Sequence, residues 1–176
     1  RFEKVSKEHN HADFDHEFTA TLGNHTYQIK HGAVAIAAIT SCTTATDPAM
    51  MIAAGLLARH AVEHGLKPKG WVKKILAPGS HATLQILKDA RLVEPLEDLG
   101  FFVCGFGCMS CIGNSGPLAP GMHEHAQDME LTSALSGNRN FDGRISPDVA
   151  QNYLMQPALV VAYSLAGTLD TDLTKD

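Results

Sequence analysis

GAVAIAAITSC, residues 32–42, decides the fold class. It is apolar without a break from Ala33 to Ile39 and closes on small polar residues. A strand with one face in water alternates apolar and polar residues, whereas an unbroken run marks a strand buried on both faces. Two further apolar runs follow, WVKKILAPGS (71–80) and FFVCGFGC (101–108), each ending in a turn of Gly, Pro or Ser. Between the first two lies DPAMMIAAGLLARHAVEHG (47–65), which has helix grammar. Asp47 stands at the N-cap, Pro48 at the first helical position and Gly65 just past the end. Met51, Ala54, Leu57, Ala58 and Ala61 keep helical spacing, and Met50 and Met51 both read as core. SHATLQILKDARLVEPLEDLG (80–100) is a second helical stretch, interrupted at Pro95. Strand–helix–strand–helix–strand with long crossovers predicts an α/β fold with parallel pairing. All three runs end in the loops TSCTT, APGSH and GFGCMSC, and in open α/β sheets ligands gather outside the carboxyl ends of strands. Cys42, Ser80, Cys108 and Cys111 are thereby expected on one edge.

The remaining sequence adds less. Residues 1–16 mix charges with His9, His11 and His16 and read as a mobile arm, leaving 17–176 as one α/β domain. EFTAT and TYQIK flank Leu22-Gly23-Asn24-His25 as a hairpin. MHEHAQDMELTSALSGNRNFDGRISP (122–147) holds one strand-like patch, and the tail from Gln151 reads as a helix broken at Pro157. The net charge of −5 supplies no global positive field for nucleic acid. No apolar run of membrane-spanning length is present, and the start has no signal-peptide core. A reducing, cytoplasmic setting is expected. The absence of an initiating methionine suggests a piece of a longer chain.

Four cysteines, at 42, 104, 108 and 111, are too few and too uneven for a secreted disulfide scaffold. In a reducing compartment they point to metal or redox chemistry. Ile112-Gly113-Asn114 is a poor helix opening for a thioredoxin-like pair. A closed zinc site needs four ligands, and Cys104, inside the third run, reads as a buried small hydrophobe. His31, His81 or His123 could complete such a site, and nothing in the sequence singles one out. Three thiolates also suit a four-iron cubane with one iron left open, able to act as a Lewis acid. Glycines 105, 107 and 113 with Ser41 and Ser110 would give a bulky cluster room. Ser115 reads as a turn cap.

AITSCTTATDPAM, LAPGS, GFGCMSCIGNSGPL and LSGNRNFDGR, in that order, resemble the cluster-binding region of the aconitase family, and NYLMQPALVVAYSLAGTLD resembles the same branch. The resemblance covers roughly residues 20–173. It implies a three-layer sandwich with a mainly parallel sheet flanked by helices, the third domain of a larger enzyme. It implies a [4Fe-4S] cluster on Cys42, Cys108 and Cys111, with Asn138 beside it and Arg139 and Arg144 holding substrate carboxylates. Bidentate Arg–carboxylate pairing makes physical sense for a tricarboxylate. The implied activity is the interconversion of citrate and isocitrate through cis-aconitate, with a 2-methylcitrate dehydratase as runner-up. The base and other substrate groups belong by resemblance to other domains, so this chain carries no catalytic base and is expected to be inactive alone. A zinc-bound or empty domain is the competing state, above all for an isolated piece whose cluster meets solvent and oxygen. Thr44 stands where relatives commonly have asparagine. That difference and the net acidity weigh against messenger-RNA binding, which the regulatory branch of the family would suggest.

Overall fold

The computed structural model describes residues 15–40, 47–107, 109, 115–137 and 145–175. A hairpin of β1 (Phe18–Leu22) and β2 (His25–Ile29) comes first, antiparallel, with Gly23 at φ +61 in its turn. There follow β3 (Val34–Thr40), α1 (Pro48–Glu63), β4 (Lys73–Ala77), α2 (His81–Asp89), α3 (Val93–Asp98), a 3-10 turn at His123–His125, β5 (Thr132–Leu135), β6 (Gln151–Leu154) and α4 (Pro157–Ala166). The sheet order is β4-β3-β5-β6, parallel throughout. This is the expected α/β sandwich. The arm expected over 1–16 lies, up to residue 14, outside the described residues.

Every residue of β3 is buried, as its unbroken apolar run requires. On one side Val34, Ala37 and Ile39 meet α1, α3 and α4 through Met51, Ala54, Leu96 and Val160. On the other, Ala35, Ile36 and Ala38 meet the hairpin (Ala20, Ile29) and the irregular segment around Leu118, Met122 and Met129. The helices therefore form one outer layer, and the hairpin with irregular chain forms the other. A register shift against β5 between Val34 and Ile36 places two successive residues, Ala35 and Ile36, on the hairpin side.

Several sequence expectations meet corrections here. The third apolar run pairs only through a bridge, Val103 to Leu76, on the outer side of β4. Leu76 N–H donates to the Phe102 carbonyl at 3.1 Å, and Cys104 N–H donates to the Leu76 carbonyl at 2.9 Å. Because this is an edge, Phe102 and Cys104 lie in solvent, and Cys104 is exposed rather than buried. Met51 is core, but Met50 is 40% exposed, one residue round the helix from the buried stripe. The helical stretch after Ser80 breaks at Ala90–Leu92, with Arg91 at φ +55, and not at Pro95. Pro95 sits in the first turn of α3, where its missing N–H costs nothing. Gln151–Leu154 is a strand, and Pro157 opens α4. No helix among the described residues is long and apolar enough to cross a membrane.

Gly55 lies on the buried face of α1, where an added Cβ would stand 2.6 Å from Leu92 Cβ. Replacing Gly by Ala in an open helix stabilises by roughly 0.5–1 kcal/mol, while overpacking a core costs about 1–3 kcal/mol. Overpacking should win, so Gly55→Ala is expected to lower the thermal midpoint, by about 2–4 °C per kcal/mol at this chain length. A raised midpoint in a calorimetric scan would mean that α1 can move away from Leu92.

Candidate functional site

The chain leaves β3 toward β4 and leaves β5 toward β6, in opposite directions, although β3 and β5 are neighbours. Divergence of this kind opens a crevice at the carboxyl ends of the strands. The two loops that depart there are 41–46 and 138–144, and 108–114 departs beside them from the bridge segment. Cys42, Cys108, Cys111, Asn138, Arg139 and Arg144 all fall in these intervals, outside the described residues. What is described is how the intervals begin and end.

Their beginnings are hydrogen-bonded to one another. Thr40 N–H donates to Ser136 Oγ at 3.0 Å, and Ser136 O–H donates back to the Thr40 carbonyl at 3.0 Å. Ser136 N–H donates to the Ala38 carbonyl at 3.0 Å. The Ser136 side chain thus continues the β3–β5 ladder one step past the end of β5. Thr40 O–H is directed at the Gly107 carbonyl, 3.4 Å away, and Gly107 N–H donates to the Pro78 carbonyl at 2.8 Å. Gly107, directly before Cys108, has φ +72, a conformation that favours glycine, and a Cβ there would meet nothing within 4 Å. Among the described residues the space over Gly107 is therefore open. The PGSH loop flanks the same point: Ser80 Oγ caps α2 by accepting from Thr83 N–H at 3.2 Å, and the His81 ring lies 4.0 Å from that of Phe106.

The far ends also meet. Gly116 and Pro117, after the cysteine pair, and Ile145, Ser146 and Asp148, after Arg144, line one cavity of about 410 Å³. Lys73, the first residue of β4, donates its ammonium to the Ser115 carbonyl and, at 2.7 Å, to that of Pro117. Burial holds this lysine below the usual lysine value, partly offset by a Coulombic contribution from Cys104. The Ser115 hydroxyl, expected to cap a turn, is buried and has no hydrogen-bond partner among the described residues. Sequence reasoning missed Lys73, Thr40 and Ser136. The available signal was the lysine pair that opens KKILA.

The histidines weighed as fourth ligands are dispersed in other contacts. His31 is buried and accepts the Glu130 N–H on Nδ1 at 3.0 Å. His81 stacks on Phe106. His123 Nδ1 pairs with Asp148 Oδ2 at 2.7 Å. Among the described residues no three His, Cys, Asp or Glu side chains converge as a metal site would need. A second cavity, about 290 Å³ beside His31 and Trp71, lies at the amino end of β3, away from the departing loops.

The family model for the aconitase family (aconitate hydratase) matches residues 1–167. The chain belongs to the aconitase family. It is 56% identical over 162 residues to a phosphinomethylmalate isomerase of Streptomyces viridochromogenes, which covers 91% of this chain and 18% of that relative. It is 55% identical over 152 residues to an aconitate hydratase A of Corynebacterium efficiens, covering 85% of this chain and 16% of the relative. An aconitate hydratase A of Deinococcus radiodurans is 52% identical over 158 residues, 89% of this chain and 17% of its own length. This aconitase-family chain thus spans less than a fifth of the relatives it matches.

The hydrogen bond from His123 to the Asp148 carboxylate, aided by its charge, raises the His123 value above the ordinary 6.5. A raised folded value means that the pair's stabilisation is fully present below the unfolded-chain value and is lost as pH rises through the folded one. An NMR titration should find His123 above 6.5, and Asp148→Asn should bring it back toward 6.5. An unchanged midpoint in that variant would remove Asp148 as the cause.

Proposed function

We propose that this chain is the [4Fe-4S]-binding domain of an aconitate hydratase, with Cys42, Cys108 and Cys111 as the thiolate ligands. The observation that carries the proposal is the hydrogen-bonded group Thr40, Ser136 and Gly107. Cys42 is two residues from Thr40, Cys108 one from Gly107 and Asn138 two from Ser136. With about 3.8 Å between successive Cα atoms, these three residues lie within a short reach of this group. The donor set fits the cluster better than a closed zinc site. It offers three thiols, open space over Gly107 among the described residues, and histidines engaged elsewhere.

When bound, such a cluster supplies a Lewis-acidic iron with a coordination position free of protein. The chain's own residues would bind and orient substrate. Arg139 and Arg144 can each grip a carboxylate bidentately, which fixes the carbon chain and sets the leaving hydroxyl in place. Asn138 would stand beside the cluster as a polar neighbour. The reaction proposed for the whole protein is interconversion of citrate and isocitrate through cis-aconitate, with the proton-transferring base supplied from the rest of the protein. The 56% identity to a phosphinomethylmalate isomerase favours, as a second reading, a related citrate-like acid on the same groups.

Anaerobic reconstitution with iron and sulfide tests the ligand set. Cys108→Ser should abolish uptake, whereas Cys104→Ser, at the exposed sheet edge, should take up as much iron and sulfide as the unaltered chain. Equal loss from both variants would mean that the three thiols are wrongly chosen. The loaded chain alone should show no hydration of cis-aconitate, and measurable turnover would place a base within these residues.

A further inference from the structure

β4 opens with two lysines, and they serve different ends. Lys74 packs over Gly100, where an added Cβ would stand 2.9 Å from its Cε. Lys73 points to the return of the cysteine segment, where its ammonium is held between the carbonyls of Ser115 and Pro117. Gly116 lies between those two carbonyls at φ +68, and a Cβ on it would come within 3.2 Å of Lys73 Nζ. The turn is thus shaped around the ammonium, and glycine serves both its left-handed bend and the close approach. The turn's own hydroxyl does no such work, since Ser115 Oγ has no hydrogen-bond partner among the described residues. The other end of the segment is bound to the same strand, by Gly107 N–H on the carbonyl of Pro78, directly after β4.

We infer that Lys73 is a positioning residue for the thiols of Cys108 and Cys111, acting through the Ser115–Pro117 turn at which their segment returns. The inference rests on the cluster reading above. It assigns β4 a role beyond pairing with β3: its two ends clamp the two ends of the cysteine segment. Charge-assisted hydrogen bonds from the lysine to two carbonyls hold the Ser115–Pro117 turn before any cluster is bound. The effect is therefore visible in the empty protein as well.

The test compares Lys73→Met, Lys73→Arg and Lys74→Met with the unaltered chain. In the empty proteins, hydrogen exchange of the peptide spanning 105–117 should accelerate in Lys73→Met and stay unchanged in Lys74→Met. After anaerobic loading, cluster absorbance under a ferrous chelator should decay about tenfold faster in Lys73→Met, the lower end of losses seen for residues that orient ligands. Lys73→Arg, which still offers charged donors to both carbonyls, should restore most of the retention. Equal decay in Lys73→Met and the unaltered chain, with both loaded, would overturn the inference alone. So would equal acceleration in Lys73→Met and Lys74→Met, which would mark a general loss of stability. An unaltered chain that takes up neither iron nor sulfide would sink the cluster reading, and the inference with it.

Discussion

β3 has no face and no edge in water, and every one of its seven residues is buried. Its backbone groups must then be paired inside the protein, because an unpaired buried N–H or C=O costs as much as a lost hydrogen bond. Parallel partners on both sides, β4 and β5, meet that demand along the strand. The demand does not stop at the last ladder residue. At Thr40 the pairing passes to a side chain, the Ser136 hydroxyl, which accepts from the Thr40 N–H and donates to its carbonyl. That exchange ties the departure of 41–46 to that of 138–144. The Thr40 hydroxyl adds the third departure by reaching Gly107. The need to satisfy one buried strand end is thus what gathers three loops at one place.

The second restraint acts on the loop returns and comes from charge. A lysine ammonium between two carbonyls, with a left-handed glycine between them, holds the chain just after the cysteine pair. Gly116 and Pro117 then share a cavity wall with Ile145 and Ser146, the first described residues after Arg144. Of the three proposed segments, 108–114 and 138–144 therefore both start beside Thr40 and both return to one cavity.

Much of the fold was legible because its signals are local. The unbroken run at Ala33–Ile39 named the central strand, and Asp47-Pro48 with Gly65 bounded α1 to within a residue or two. Proline misled twice, at 95 and 157, because the same residue breaks a helix interior and opens a helix. Cys104 and Met50 differ from expectation because burial is set by the outer layers: no described strand pairs beyond Val103, and Met50 lies just off the stripe of α1. The residues that organise the site were the least legible. Thr40 and Ser136 are 96 positions apart, and Lys73 and Ser115 are 42 apart. No periodicity in the sequence links either pair. The cysteines and arginines stood out by type, and the groups that anchor their loops did not.

The most direct measurement is Mössbauer spectroscopy on the chain loaded anaerobically with isotopically enriched iron, together with inorganic sulfide and zinc analysis. Three thiolates on a four-iron cluster leave one iron without a protein ligand, so two populations of iron are expected, the smaller without thiolate coordination. Iron and inorganic sulfide should be present in equal amounts, with zinc absent. A stoichiometric zinc content without sulfide, or a single thiolate-coordinated iron population, would contradict the three-thiol cradle.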